Sequence, residues 1–338
     1  MILENIQAIK ALLDTPKQIV IIPHVNPDGD AVGSILGLAH YLKLKGQNPL
    51  VMVPNAFPEF LSWIPGAADI VIFDEAIEKA SKIIQEADLI FTLDFNALHR
   101  TGEAEATLTT SKAIKIMIDH HQAPDDYATY MYSDVSMSST CEMVYHFIDM
   151  MGDVKTVNSN IATALYTGII TDTGSFRFAS TSSKTHKIVA HLIEAGANNV
   201  QIHNNVFDAN DPSRLQLLGV ALNSLTILKS YRTAFMYLSQ KDLDDNDFKK
   251  GDTEGFVNYC LSLKGIVLAA IFIENSADNI IKISLRSKGN FSVNELSRAH
   301  FSGGGHTNAA GGRSSETLEE TITRFKNILP QYNTLINE

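Results

Sequence analysis

Short, continuous apolar runs alternate with amphipathic stretches through the first half of the chain. The apolar runs predict five buried strands, at residues 18–22, 50–53, 70–73, 88–93 and 113–118. Between the first two, Val32, Ile35, Leu36 and Ala39 recur at helical spacing, and a further helix is predicted over 76–86. Continuous β-branched runs that are separated by helices favour a parallel sheet covered on both faces.

The pattern becomes helical after residue 134 and mixed again after residue 230. Ser139 to Glu142 fits a capping box that opens a helix ending near Met150. The remaining segments predict helices around 161–169, 184–195 and 201–224, strands at 233–238, 267–273 and 280–285, and helices near 253–263 and 316–329. A glycine-rich segment, 303–312, reads as a close-packed turn against a ligand or a helix, with a flexible linker as the alternative.

Length and pattern together predict an α/β protein of two domains, because 338 residues suffice for two separate cores at about 150 residues per domain. We expect a larger domain over 1–195, with a mainly parallel sheet flanked by helices. A helical linker over 196–225 and a smaller C-terminal α/β domain over 226–338 complete the prediction.

Composition excludes several classes of protein. The net charge is −11, so the excess of Lys and Arg needed to coat a long nucleic acid is missing. Two cysteines, Cys141 and Cys260, cannot form a disulfide framework. The sequence starts without a basic segment followed by an apolar run, and no apolar stretch approaches 18 residues. These features predict a cytoplasmic protein with no membrane partner.

The negative charge is concentrated in the first part of the chain. Residues 1–230 contain 15 basic and 25 acidic side chains, whereas residues 231–338 contain 12 and 13. Solvated acidic helices would explain this difference. The alternative is that some of the carboxylates surround cations.

Three of the predicted strands end in ionisable residues: His24, Asp28 and Asp30 after the first, Asp94 after the fourth, and Asp119, His120 and His121 after the fifth. Asp172 follows a predicted helix. Because ligands bind outside the carboxyl ends of parallel strands, we expect these side chains in one crevice. Five carboxylates there would repel one another unless cations were present. Capping of the following helix by Asp28 or Asp30 is the simpler alternative, but it does not explain His24.

The mixture of carboxylate and imidazole ligands predicts two divalent ions. Such a set suits Mn²⁺ particularly well, and Mg²⁺, Co²⁺ or Fe²⁺ are alternatives. Two ions about 3.5–4 Å apart are the arrangement with which phosphoryl-transfer hydrolases hold attacking and leaving oxygens.

These motifs, in this order, resemble the four motifs of the DHH phosphoesterase superfamily. The second half adds Arg286-Ser287 and Gly303-Gly304-Gly305-His306, followed by Ala309-Ala310-Gly311. This part resembles the DHHA1 domain of the branch that contains bifunctional oligoribonucleases and pAp phosphatases (NrnA type). The resemblance covers essentially the whole chain.

The resemblance implies roles for the motif residues. One metal would be held by His24, Asp28 and Asp94, and a second by Asp30, Asp94, His120 and Asp172, so that Asp94 bridges the two. His121 would meet the substrate phosphate as hydrogen-bond donor or general acid, and Asp119 would orient an imidazole. The substrate's other phosphate and nucleotide end would be held by Arg286, His306 and the backbone N–H groups of Gly304 and Gly305.

Two of the arginines have alternative interpretations. Arg100 could reach a phosphate or cap the next element, and Arg286 could be a solvated charge at a strand end.

The resemblance implies a metal-dependent hydrolase that degrades short single-stranded RNA to mononucleotides. It would also remove the 3′-phosphate of 3′-phosphoadenosine 5′-phosphate (pAp). Hydrolysis of cyclic or linear dinucleotides, or of polyphosphate, is the nearest alternative. A nucleotide-binding regulator without turnover is the alternative of another class. The oligomeric state is open, with a homodimer as one option.

Overall fold

Two six-stranded sheets organise the chain, one in each of two compact units, Met1–Ala209 and Asn210–Glu338. The computed structural model describes the backbone of residues 3–337 and the side chains of residues 5–336. No helix within these residues is long and apolar enough to cross a membrane.

The sheet of the first unit is entirely parallel. Its strands are β1 (Ile19–Ile22), β2 (Leu50–Val53), β3 (Val71–Ile72), β4 (Leu89–Leu93), β5 (Ile114–Asp119) and β6 (Tyr130–Ser133). The spatial order is β3-β2-β1-β4-β5-β6. Connections therefore run in one direction from β1 to β3 and in the other from β4 to β6. The crevice where this direction changes lies outside the carboxyl ends of β1 and β4.

Eight helices of the first unit have these bounds: α1 (Leu3–Leu13), α2 (Gly29–Leu44), α3 (Ile77–Glu86), α4 (Glu105–Thr110), α5 (Thr140–Met150), α6 (Ser159–Asp172), α7 (Ser183–Glu194) and α8 (Asn199–Phe207). Most of α2 is buried, because it is covered by α5 and α6. Small residues allow this close packing. A Cβ atom at Gly33 would lie 2.5 Å from the Ala164 carbonyl oxygen of α6.

The sheet of the second unit is mixed: β8 and β9 are parallel, and the other neighbours are antiparallel. Its strands are β7 (Thr226–Leu228), β8 (Thr233–Leu238), β9 (Leu268–Asn275), β10 (Ile280–Ser287), β11 (Gly304–His306) and β12 (Ala309–Ser314), in the order β11-β12-β10-β9-β8-β7. The helices are α9 (Pro212–Asn223), α10 (Gln240–Asp245), α11 (Val257–Leu261), α12 (Val293–His300) and α13 (Leu318–Asn337).

The predicted α/β class, with a parallel sheet flanked by helices and a second α/β part, is confirmed. The segment 303–312 packs against a helix, α12, as predicted, but most of it forms the β11–β12 hairpin and not a turn alone. Helices α1, α4, α10 and α12 and the short edge strands β6 and β7 were not predicted. The assignment of a catalytic domain, linker and substrate-binding domain stays a prediction.

The contact between α2 and α6 generates a test of the fold. Gly33→Ala should destabilise the first unit by about 1–3 kcal/mol, because the added methyl group overpacks a rigid helix contact. The chain's single tryptophan, Trp63, packs against this unit's core, so its fluorescence during urea unfolding reports the effect. Gly219→Ala adds the same methyl group to an exposed position of α9 with no atom within 4 Å. That variant should leave the Trp63 transition unchanged. An unchanged midpoint for Gly33→Ala would contradict the packing argument.

Candidate metal centre

The ionisable residues singled out in the first unit converge on the crevice between β1 and β4. His24 lies two residues beyond β1, Asp94 follows β4 directly, and Asp119 is the last residue of β5. Asp172 is the last residue of α6, which packs against α2. The parallel register brings these strand ends to one edge of the sheet, as expected from the sequence.

Asp94 occupies a strained backbone conformation, with φ at +65°. Its N–H donates to the Ile118 carbonyl oxygen at 3.1 Å, so the chain turns while it is still paired with β5. A left-handed conformation is uncommon for residues other than glycine, although Asp tolerates it better than most. Such strain persists only where the surroundings fix it, and it is concentrated at functional sites.

The first ligand group consists of His24, Asp28 and Asp94, which offer ligand atoms within 4.8 Å of one another. His24 Nε2 lies 3.3 Å from Asp94 Oδ2. His24 Nδ1 lies 2.7 Å from the Val25 carbonyl oxygen, so it carries the proton and leaves the Nε2 lone pair available. The capping alternative for Asp28 is also realised, because its Oδ1 accepts hydrogen bonds from two backbone N–H groups of α2.

The second ligand group consists of Asp30, His120 and Asp172, again within 4.8 Å. His120 Nε2 lies 3.8 Å from Asp30 Oδ2 and 3.6 Å from Asp172 Oδ2. It also lies 3.5 Å from Asp94 Oδ1. His120 Nδ1 is 3.2 Å from the Met137 carbonyl oxygen, which favours Nε2 as the ligand atom. The two oxygens of Asp94 are thus divided between the two groups.

The amino terminus of α5 holds two of these carboxylates. Asp30 accepts hydrogen bonds from the backbone N–H groups of Thr140 at 2.6 Å and Cys141 at 2.9 Å. The Thr140 hydroxyl donates to Asp94 Oδ1 at 3.0 Å. A helix amino terminus stabilises negative charge, and here it faces carboxylates distant in sequence. Glycine at 168 permits this, since a Cβ atom there would lie 2.9 Å from Asp30 Oδ1.

Sequence reasoning found the α5 cap but missed its function in the site. Ser139 accepts a hydrogen bond from the Glu142 N–H, as predicted. The Glu142 carboxylate, however, binds Ser138 and Thr185 instead of the Ser139 N–H. The cap motif therefore predicted where α5 begins. It did not predict that the Thr140 hydroxyl donates to Asp94.

His121 and Asp119 form a separate pair beside these groups. His121 Nδ1 donates to Asp119 Oδ1 at 2.7 Å, and Asp119 has no solvent-exposed surface. Asp94, Asp119 and His121 also satisfy the 4.8 Å distance for a metal cluster. The short hydrogen bond to Asp119 restricts the orientation of the His121 ring, and the orienting role of Asp119 stays a prediction.

Charges at the site shift the pKa values of its groups in opposite directions. Burial, followed by the charges of Asp94 and Asp172, raises the pKa of Asp30 well above its usual range. Burial alone would lower the pKa of His120, but the hydrogen bond to Asp94 and the neighbouring carboxylates raise it strongly. The same balance raises the pKa of His24. Burial raises the pKa of Asp94, but hydrogen bonds from His120 and His24 outweigh it and bring the pKa well below its ordinary value.

These shifts describe a surplus of negative charge that protons compensate. A divalent cation binds deprotonated ligands and therefore takes the place of such protons. Ligand atoms at about 2.1 Å from one octahedral ion lie about 3 Å apart. The separations of 3.3–3.8 Å between His24, His120 and the carboxylates require only small adjustments. The residues present therefore fit two divalent cations.

Arg100 lies close enough to the site to act on it electrostatically. Its charge contributes to lowering the pKa of His121, after burial, which is the larger cause. Its carbonyl oxygen accepts the Val25 N–H at 2.8 Å, so the segment is attached to the loop that carries His24. The phosphate-binding and capping interpretations of Arg100 both stay predictions.

The remaining predicted residues lie in the second unit. Arg286 belongs to β10, and its Nη1 donates to the Leu285 carbonyl oxygen at 3.0 Å. Gly304, Gly305 and His306 form β11. The Gly305 N–H donates to Asn294 Oδ1 at 3.0 Å. The expectation that this N–H binds substrate is therefore corrected, because its acceptor is within the protein.

Sequence comparisons identify two regions of the chain. The DHH family, N-terminal domain, matches residues 18–169, and the DHHA1 domain matches residues 230–333. The bifunctional oligoribonuclease and PAP phosphatase NrnA of Thermus thermophilus is 29% identical over 321 residues, covering 90% of each chain. NrnA of Bacillus subtilis is 26% identical over 303 residues, covering 89% of this chain and 90% of that one.

A solved structure extends the similarity. The crystal structure of an exopolyphosphatase-related protein from Bacteroides fragilis is 40% identical and has a TM-score of 0.93. The match covers 99% of this chain and 98% of that chain.

Because the two oxygens of Asp94 face different ligand groups, substitution of Asp94 tests whether it bridges two cations. Asp94→Ala should weaken the binding of both divalent ions, whereas Asp172→Ala should weaken only one. Isothermal titration with Mn²⁺ measures the number and affinity of the sites. Asp14→Ala, which removes an exposed aspartate at the end of α1, is the matched control and should bind as the wild type does. Full occupancy in Asp94→Ala would refute the bridging role.

Proposed function

Because the chain belongs to the DHH family and carries a DHHA1 domain, we propose that it is a two-metal phosphoesterase of short RNA and pAp. It is a DHH phosphoesterase, a hydrolase that acts on phosphate esters. In this proposal it hydrolyses oligoribonucleotides to mononucleotides and removes the 3′-phosphate of pAp. The names of the NrnA relatives support this choice of substrates.

The observation that carries the proposal is the position of Asp94 between two ligand groups. Its Oδ2 faces His24 Nε2 at 3.3 Å, and its Oδ1 faces His120 Nε2 at 3.5 Å. We assign His24, Asp28 and Asp94 to one cation, and Asp30, Asp94, His120 and Asp172 to the other. Mn²⁺ is our first choice, because the ligands combine carboxylates with imidazoles.

The cations would supply Lewis-acid activation of the phosphoryl group and of the attacking water. The protein itself fixes the positions of the ligands. Hydrogen bonds from His24 and His120 to backbone carbonyl oxygens hold both rings with Nε2 toward the carboxylates. The α5 amino terminus holds the Asp30 carboxylate through two backbone N–H groups.

His121 is placed to serve the substrate. With its Nδ1–H bound to Asp119, the ring presents Nε2, which donates a proton or a hydrogen bond to a phosphoryl oxygen once it is protonated. The carboxylate of Asp119 stabilises the imidazolium form. The positive charge of Arg100 acts on the His121 ring. In this proposal it also stabilises the negative charge that develops on the phosphoryl oxygens.

Polyphosphate hydrolysis is a second candidate, and a specific similarity favours it. The relative with 40% identity is described as exopolyphosphatase-related. A turnover panel with Mn²⁺ separates the candidates: pAp, the dinucleotide pApA, cyclic di-AMP and polyphosphate. We expect pAp and pApA to be hydrolysed fastest. Turnover of polyphosphate alone would replace the proposal, and binding of pAp without any turnover would indicate a regulator.

The His121–Asp119 pair generates a prediction for catalysis. His121→Ala should lower kcat for pAp by about 10²- to 10⁴-fold if the ring acts as a general acid. Both cations should still bind. Asp119→Asn keeps an acceptor for the ring but removes its charge, so its loss in kcat should be smaller.

His191→Ala is the control, because His191 lies on α7 and binds Tyr145. It should retain wild-type kcat. If His121→Ala instead loses one Mn²⁺ site in calorimetry, the two adjacent histidines have exchanged roles.

A further inference from the structure

Helix α12 is fixed onto the β11–β12 hairpin at three points. The Val293 N–H donates to the Thr307 carbonyl oxygen at 2.8 Å. The Ser297 hydroxyl donates to the Gly311 carbonyl oxygen at 2.6 Å, and Asn294 Oδ1 accepts the Gly305 N–H at 3.0 Å. Asn294 is 95% buried, with 5% of its surface exposed. The helix and hairpin therefore form one rigid platform.

The glycines of this platform differ in whether the fold leaves space for a side chain at their position. A Cβ atom at Gly303 would lie 2.0 Å from the Gly311 carbonyl oxygen, and one at Gly305 would lie 2.4 Å from the Ala309 carbonyl oxygen. Gly305 also has φ at +150°. Both positions therefore need glycine for the hairpin to form.

Gly304 has no such requirement. A Cβ atom there would meet only Asn294 Oδ1 at 3.6 Å and Arg298 Nε at 3.7 Å, both ordinary contact distances. No other heavy atom that the structure describes lies within 4 Å of that point, except in the neighbouring residues of the chain. The backbone of Gly304 is thus accessible, and the two groups that border it are polar.

Arg298 is held beside this accessible backbone. Asn294 and Arg298 are four residues apart on α12, so they share a face of the helix. Arg298 Nε donates to Asn294 Oδ1 at 3.3 Å, which fixes the guanidinium next to Gly304. Across the described side chains, residues 5–336, no carboxylate lies within 4.0 Å of Arg298. The guanidinium of this exposed residue can therefore pair with an anion from outside the protein.

We propose that Arg298, positioned by Asn294 over Gly304, is a specificity-determining residue that binds a phosphate group of the nucleotide substrate. The assignment rests on the proposed function for the identity of the ligand. In this assignment the donor to the phosphate is the Arg298 guanidinium. The Gly305 N–H is not the donor, because it already donates to Asn294 Oδ1. Guanidinium groups bind phosphate through two parallel N–H donors, and one donor edge of Arg298 is already oriented by the asparagine.

The test compares Arg298→Gln with a control that removes an equivalent charge. Lys241→Gln removes an exposed cation from α10, which is attached to Glu274 near the end of β9. Strands β12 and β10 separate β11 from β9. Arg298→Gln should raise KM for pAp about ten- to a hundredfold with little change in kcat, because a charged hydrogen bond to phosphate is lost. Arg298→Lys should restore part of the affinity. Gly304→Ala should fold normally and also raise KM, because its methyl group fills the accessible space.

Two measurements distinguish this inference from the proposed function. Calorimetric titration of pAp into the Mn²⁺-free proteins measures binding, and turnover of pAp with Mn²⁺ measures hydrolysis. If the wild type hydrolyses pAp and Arg298→Gln matches Lys241→Gln in KM and affinity, the inference is wrong and the proposed function stands. If the wild type binds pAp without hydrolysing it and Arg298→Gln binds more weakly, the inference stands and the proposed function fails. If the wild type neither binds nor hydrolyses pAp and also leaves pApA intact, both are wrong.

Discussion

The concentration of negative charge at one edge of the first sheet is the constraint on which the rest of the structure depends. Asp30, Asp94 and Asp119 are each at most 2% exposed, so water does little to screen them. The negative charge of each carboxylate is partly compensated by its contacts. Asp30 accepts hydrogen bonds from the amino terminus of α5, and Asp119 accepts one from the ring of His121. Asp94 contacts two imidazoles and a threonine hydroxyl. Burial, followed by the neighbouring carboxylates, still raises the pKa of Asp30, and the hydrogen bond to Asp94 and the nearby carboxylates raise the pKa of His120. A pair of cations would neutralise this negative charge.

The packing of the first unit serves this arrangement. The charged edge lies where the strand order changes direction, between β1 and β4, so connections leave the crevice on both sides without covering it. Helices α2, α5 and α6 must then approach closely behind it. Gly33 and Gly168 allow this, because a side chain at either position would collide with a neighbouring helix. The glycines that stabilise the core are therefore also those that bring Asp30 to the start of α5.

The sequence was informative where the structure depends on local patterns. Continuous apolar runs defined five of the six parallel strands, and charged residues placed after three of them predicted which side chains meet. The contacts of Thr140 with Asp94 and of α5 with Asp30 could not be predicted, because each joins residues at least 46 positions apart in sequence. The β11–β12 hairpin was missed for another reason. Its strands are rich in glycine and lack the β-branched residues by which strands are recognised, and cross-strand pairing with β10 stabilises them instead.

His120 and His121 show how context decides the chemistry of identical side chains. They are adjacent in sequence, and both are buried. His120 binds a backbone carbonyl oxygen through Nδ1 and faces three carboxylates, so its pKa is raised. His121 binds Asp119 through Nδ1, but burial and the charge of Arg100 outweigh that carboxylate, so its pKa is lowered. Both rings lie near the same oxygen, Asp94 Oδ1, with His120 Nε2 at 3.5 Å and His121 Nδ1 at 3.7 Å, but only His121 is hydrogen-bonded to Asp119. The two adjacent histidines therefore differ in the partner of Nδ1, which is a backbone carbonyl oxygen for His120 and the carboxylate of Asp119 for His121.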